Sequence, residues 1–253
     1  MSNKIITAFS LKGGVGRSTT VAALGRIFTN EFGKEVLLVD ANMNFGLTQI
    51  FFPAGKDSEV VGLEQALLRE KKLPILDLGD GLHLAPSSKG MFCYETAAAS
   101  KKHSRTALSK VLESYRESFD YIFVDVPAYA GILAMNAIGS SDFVLNTVDC
   151  CASTLSCLAE AQSSAMCFKH PSSLNGGILL TRVKPERVVD GIIEDTVREG
   201  FGEIVFKGII RDCAAVVQAP FEHKDIWSFD RKSIAAKDYF NVASELMERL
   251  KYV

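Results

Sequence analysis

No stretch of this 253-residue chain reaches the roughly 18 uninterrupted apolar residues that a membrane-crossing helix needs, so no transmembrane helix is expected. No Gly, Ser or Pro tract reads as a linker, and a single domain over 1–253 follows. An excess of either charge is missing too: 28 Lys and Arg face 30 Asp and Glu, for a formal charge of −2, so contact with nucleic acid requires a local basic patch. Met1 to Ser10 carry one Lys and run directly into a strand pattern, which is not the architecture of a secretory signal, and an intracellular protein is expected. None of the six cysteines forms a Cys-x-x-Cys pair, so they read as reduced thiols. Cys150, Cys151 and Cys157 do cluster, but His83, His103, His170 and His223 are scattered, and small residues at a strand end and in a helix are the reading preferred over a metal site.

What is present is an alternation of two hydrophobic periods. Lys4–Phe9, Val36–Val39, Tyr121–Val124, Phe143–Val148, Gly177–Thr181 and Ile204–Ile210 are short aliphatic and β-branched runs, which read as buried parallel strands. Between them, Thr19–Phe32, Ser104–Glu117, Thr154–Phe168, Val188–Glu199 and Ile234–Leu250 carry apolar residues at three- and four-residue spacing. Val61–Lys72 reads as a further helix and Leu82–Ala85 as a short strand. The pattern predicts an α/β fold, a mostly parallel sheet with helices on both faces, whose ligands sit at the carboxyl ends of the strands. The terminal segment Asp238–Val253 places Tyr239, Val242, Ala243, Leu246 and Leu250 on one face and has no dense basic face, so a packed helix is expected rather than one lying on a membrane surface.

Directly after the first strand comes Lys12-Gly13-Gly14-Val15-Gly16-Arg17-Ser18-Thr19-Thr20, opening a helix. Glycines there let backbone N–H groups turn inward around an anion, and the helix adds its positive end. Ser18 is placed to offer a hydroxyl to Mg²⁺. Against the phosphate-loop pattern G-x-x-x-x-G-K-[ST], the first Gly falls on Leu11 and the lysine position is Arg17. A planar guanidinium keeps the charge but is not equivalent to a compact ammonium.

Lys12 to Ser18 resembles the deviant Walker A motif, K-G-G-x-G-K-[ST], of the ParA/MinD family of P-loop ATPases. The resemblance implies a P-loop NTPase domain with ATP and Mg²⁺ as cofactors. Gly13, Gly14, Val15, Gly16, Arg17, Ser18 and Thr19 would surround the phosphates, and Lys12 would reach across an ATP-bound homodimer to the partner's phosphates. VLLVDANMNFGLTQIFF is similar to the family's switch segment with its D-x-D: Asp40 matches the first carboxylate, and Asn42 replaces the second, which orients the attacking water. FDYIFVDVPAYAG resembles the Walker B stretch, with Ala128 in place of the second proline, so Asp125 would join Ser18 and Asp40 around Mg²⁺. Near the end, Ile209–Pro220 and Ser228–Tyr239 are similar to the ParA pattern whose P-R-N/D element contacts adenine; Arg211 and Asp212 match it, with Ile210 for proline.

The family likeness implies an ATP-dependent dimerising switch that positions a cargo, DNA or a polar pilus or secretion complex, with an activating partner protein and a cytoplasmic, nucleoid- or pole-associated place. Lys12, Asp40 and Asn42 are then the catalytic candidates. Arg17 and Asn42 each alter a group that phosphoryl transfer uses, which favours slow hydrolysis or the alternative of a nucleotide-bound dimeric scaffold with little or none. For nonspecific DNA the candidates are Arg182, Lys184, Arg187 and Arg211, and an ordinary solvated surface stands beside that reading because Glu186, Asp190, Glu194 and Asp195 lie among them.

Overall fold

The computed structural model describes residues 3–53, 61–69, 72–98, 106–168 and 176–253. Met1, Ser2, His103, Ser104, His170 and residues 70 and 71 of the Val61–Lys72 helix therefore lie outside the described residues.

Seven strands form one sheet in the order β3-β4-β2-β5-β1-β6-β7: β1 Lys4–Phe9, β2 Val36–Asp40, β3 Leu76–Asp77, β4 Leu82–Ala85, β5 Tyr121–Asp125, β6 Phe143–Asp149 and β7 Gly176–Thr181. All neighbours pair parallel except the short edge strand β3, which runs antiparallel to β4. Two residues are too few to show a period of two, so β3 has no sequence signature of its own.

Parallel strands need crossovers, and helices cover both faces of the sheet. On one face lie α1 (Arg17–Phe32) and α11 (Ile234–Arg249), where Phe28 meets Tyr121 and Phe123 edge-on at 4.9 and 5.2 Å. Each such ring pair adds about 0.5–1.5 kcal/mol to area burial. The stripe Tyr239, Val242, Ala243 and Leu246, with Leu250 beyond it, is buried there, so the C-terminal helix is a packed one. On the other face lie α3 (Glu64–Arg69), α4 (Gly90–Ala98), α5 (Ala107–Tyr115), α6 (Ile132–Ser140) and α7 (Thr154–Phe168). Helix α2 (Gly46–Phe51) follows β2, α8 (Val188–Phe201) follows β7, and the short α9 (Ala214–Gln218) and α10 (Ile226–Phe229) precede α11. The periodicity argument does not find α6, because its Leu133, Ala134, Ala137 and Ile138 are all buried and leave no polar face to mark.

Two expectations need correction. The Val61–Lys72 helix is a shorter one, α3, over Glu64–Arg69. Ile204–Ile210 is not a strand: it meets β7 at an isolated bridge, Ile178 with Val205, and through the Ile210 N–H on the Leu180 carbonyl, and a second bridge, Val183 with Arg211, follows it. Between the bridges, the N–H groups of Lys207 and Gly208 turn to the Glu245 carboxylate at 3.0 and 3.1 Å, which pulls the segment off the ladder.

Three strands extend one residue past the expected run, and each ends in an aspartate: Asp40, Asp125 and Asp149. β5 and β6 flank β1, whose loop carries the glycines, and β2 lies beyond β5, so the three carboxylates stand at the same carboxyl-terminal end of the sheet as that loop.

Candidate functional site: a phosphate loop bordered by strand-end carboxylates

The loop from Ser10 to α1 is shaped by Gly14 (φ +76°) and Gly16 (φ +80°), left-handed conformations that cost an L side chain and not glycine. Gly16 starts α1 without a side-chain cap, and no acidic residue occupies the first turn. The first N–H groups and the positive end of a 16-residue helix are thus left for an anion. A cleft of about 440 Å³ opens beside them, lined by Gly14, Gly16, Arg17, Ser18 and Thr19 on one side and by Thr181, Arg182, Arg211, Asp212, Val216 and Tyr239 on the other. Lys12, Gly13 and Val15 of the loop, and Asp40, Asn42 and Asp125 at the neighbouring strand ends, do not line that cleft.

Behind Ser18, Asp40 and Asp125 stand opposite each other in register on β2 and β5, both fully buried. Burial, and then the charge of Asp125, pushes the Asp40 carboxyl up to about 7, against hydrogen bonds from Thr48 and Asn42. Burial also pushes Asp125 up to about 6, opposed by the Arg17 guanidinium and the Ser18 hydroxyl. Ser18 Oγ donates to Asp125 Oδ2, whereas Asp125 Oδ1 is buried with no hydrogen-bond partner. An orphaned carboxylate oxygen next to a serine hydroxyl is the donor set a hard divalent cation takes, so these residues fit Mg²⁺. Asp40 is committed differently: it accepts from the N–H groups of Asn42 and Thr48 and from Thr48 Oγ1 at 2.8–3.0 Å, and so orders the loop after β2. Thr48 Oγ1 in turn accepts from the Ser87 N–H, and Ser87 Oγ donates to the Asn42 carbonyl.

Arg17 lies inside the loop, 8% exposed, with Nη1 donating to the Ser10 carbonyl at 2.9 Å. Burial lowers its pKa, and the charge of Asp125 opposes that. Its Nε is a buried donor without a partner. Asn42 is 5% exposed, and its Oδ1 accepts from the Asn44 N–H, holding the amide within its own turn.

Lys12 is turned to its own chain. Its Nζ donates to both carboxylate oxygens of Asp149, at 2.8 and 2.6 Å, and to Cys151 Sγ at 3.1 Å. The Asp149 hydrogen bond raises the lysine pKa above its ordinary value. Burial pushes the Cys151 thiol up, but hydrogen bonds with Ser153, Lys12 and Thr154 outweigh it and leave the thiol below its usual range. Its neighbour Cys150 faces burial and then the charges of Asp190, Glu194 and Asp149, which push it up to about 12. Among the described residues no group of three or more His, Cys, Asp or Glu is arranged to hold a metal ion.

The basic residues of the last third are not a free stripe. Arg211 forms a two-pronged pair with Asp238, Lys184 pairs with Asp212 at 3.1 Å, and Arg187 approaches Asp190 at 3.7 Å. Arg182 Nη1 donates to the Gly14 carbonyl at 2.9 Å. Arg182, though exposed, and the half-buried Arg211 line the cleft beside the loop, and only Lys184 and Arg187 of the four stand away from it.

Sequence reasoning does not single out Asp149, Thr181 or Thr48. Thr181 Oγ1 donates to the Val15 and Val148 carbonyls and pins the loop to β7, and Asp149 holds Lys12. Both sit at the carboxyl ends of strands, the one signal that could have marked them.

Residues 3–166 match a family model described as an AAA domain. The chain is 28% identical over 258 residues to the sporulation initiation inhibitor protein Soj of Bacillus subtilis, spanning 96% of this chain and 98% of that one. It is 26% identical to the chromosome partitioning protein ParA of Myxococcus xanthus, over 97% of this chain and 88% of the relative. A solved structure of a plasmid partition protein from Borrelia burgdorferi bound to AMPPNP superposes with a TM-score of 0.82 at 19% identity, covering 98% of this chain and 100% of that one. That last likeness is one of fold.

Proposed function

We propose that this chain, which belongs to the AAA-domain family and within it to the ParA/MinD P-loop ATPases, is an ATP-dependent dimerising switch that positions a cargo and hydrolyses ATP slowly. The observation that carries the reading is Lys12: a lysine on the phosphate loop whose ammonium is held by Asp149 of its own chain and not by the loop. In the switch reading, ATP and a second copy offer Lys12 a more highly charged partner than one carboxylate, and it exchanges Asp149 for the partner's phosphates.

The uncapped start of α1 and the loop N–H groups would hold the phosphates, with Arg17 adding charge from inside the loop. Ser18 and Asp125 would hold Mg²⁺, which, bound there, supplies charge neutralisation at the phosphate oxygens, while Asp40, its oxygens taken by Asn42 and Thr48, would order the loop beside it. The apolar wall of Val216 and the aromatic ring of Tyr239, with Arg211 and Asp212 beside them, are where the base would lie. Asn42 would orient the attacking water as a hydrogen-bond partner, since an amide accepts no proton from it.

A second reading, a nucleotide-bound dimeric scaffold with little or no turnover, is favoured by the same Asn42, whose amide oxygen is already engaged by Asn44 N–H. Duplex DNA is the cargo contact that Lys184 and the exposed Arg187 support, at 42% and 53% side-chain exposure. Phosphate release from Mg-ATP, measured with and without duplex DNA, separates the readings. Slow release that DNA or a partner accelerates supports the switch; none above a no-enzyme control, with ATP still bound, supports the scaffold. DNA binding that does not weaken as salt rises would contradict a phosphate-backbone footprint.

A further inference from the structure

The cations of the loop and of the segment after β7 are unequally satisfied. Lys12 is answered by Asp149, Arg211 by Asp238 and Lys184 by Asp212, and Arg17 lies in the field of Asp125. Arg182 is different: it donates to a neutral carbonyl, Gly14 O, on the phosphate loop itself. One of its five N–H donors is used there, and the guanidinium lies in the wall of the cleft.

Its backbone is unusual as well. Arg182 adopts φ +55°, the left-handed region that an L residue with a long side chain occupies at a cost and glycine occupies freely. The neighbours fix it: Thr181 is tied to Val15 and Val148, and Val183 exchanges backbone hydrogen bonds with Ile210 and Asp212. The local fold would be satisfied by glycine at 182, so what the chain retains by having arginine there is its side chain, delivered to the loop mouth.

We propose that Arg182 is a nucleotide-binding residue: its guanidinium donates hydrogen bonds to the polyphosphate chain of the bound nucleotide, with the Gly14 carbonyl as its rest position when none is bound. This rests on the nucleotide reading above and adds a cation to it. Arg17, drawn inward toward Ser10 and Asp125, leaves outward-facing positive charge at the loop to Arg182. A guanidinium can take phosphate oxygens in a two-pronged fork, which suits it to a chain of phosphates more than to a base or a ribose.

Titration calorimetry with Mg-ATP, Mg-ADP and adenosine on wild type, Arg182→Ala, Arg182→Lys and Arg182→Gly tests this, alongside the melting temperature of each. The expected result is that Arg182→Ala and Arg182→Gly weaken ATP and ADP by about tenfold and leave adenosine unchanged, that Arg182→Lys recovers part of the loss, and that Arg182→Gly melts no lower than wild type. Unchanged ATP affinity in both Ala and Gly variants would overturn the proposal. So would an equal loss for ATP and adenosine accompanied by a lower melting temperature, which marks a loop tie only, or lost duplex-DNA binding at unchanged ATP affinity. If the wild-type chain binds neither ATP nor ADP, it is the underlying nucleotide reading that fails, an outcome distinct from a defect confined to the variants.

Discussion

Asp40 and Asp125 face each other in register at the carboxyl ends of β2 and β5, and only Asp125 keeps an oxygen with no hydrogen-bond partner. Two buried carboxylates side by side are held there against their own repulsion. Both have pKa values raised above the ordinary aspartate value of 3.8, so between roughly pH 4 and 7 the folded state retains protons that the unfolded state has released. Their contribution to stability is therefore fully present below the unfolded value and lost as pH rises through that window.

Asp125→Asn should accordingly stabilise the nucleotide-free, Mg²⁺-free protein at pH 7.5, on the order of a kcal/mol or more, with the advantage shrinking toward pH 4–5. Denaturant melts of wild type and variant across pH 4.5–8 measure it. Added Mg²⁺ should reverse the ranking at pH 7.5, because the variant has lost an anionic ligand. A variant advantage independent of pH, or one that Mg²⁺ leaves intact, would contradict the account.

Asp149→Asn removes the charge that holds Lys12. The pair is partly exposed, at 35% and 19% for the two side chains, so solvent screening limits its worth to about 1 kcal/mol or less. The ATP concentration needed for half-maximal dimerisation should fall by about two- to fivefold in the variant, as followed by analytical ultracentrifugation. A rise in that concentration would mean that Asp149 supports the dimer and does not restrain it.

Arg17→Lys and Asn42→Asp each restore a group the family motif carries, and each should raise the steady-state rate of phosphate release by about three- to tenfold. In the switch reading both act on one phosphate, so the double variant need not show the product of the single effects. If neither variant exceeds wild type, the two departures are adaptations and not deficits.

Much of the fold could be read from the residues. The runs ending at Asp40, Asp125 and Asp149 are apolar because parallel strands bury both faces, and the stripe of α11 repeats at helical spacing because one side packs on the sheet. The glycine loop was legible because its signal is local, a strand, positive-φ glycines and a helix in sequence. What the sequence could not show depends on contacts across the chain. Lys12 and Asp149 are 137 residues apart, and nothing in either neighbourhood marks them as a pair. Arg182 looks like surface charge in a linear reading, and only the packing of β7 beside the loop brings it to the cleft; Arg211 is marked by its likeness to the adenine-contacting element, but its pairing with Asp238 is not. Ile204–Ile210 reads as a strand by composition, and the carboxylate that lifts it off the sheet, Glu245, comes from a helix about 40 residues later.

The most direct test of the switch is the dimer fraction of wild type and Lys12→Ala by size-exclusion chromatography with light scattering, in Mg-ATP, in Mg-ADP and without nucleotide. Mg-ATP alone should shift wild type to a dimer while Lys12→Ala stays monomeric at saturating ATP. Equal dimer fractions in wild type and variant under Mg-ATP, or a wild-type dimer that forms without nucleotide, would contradict it.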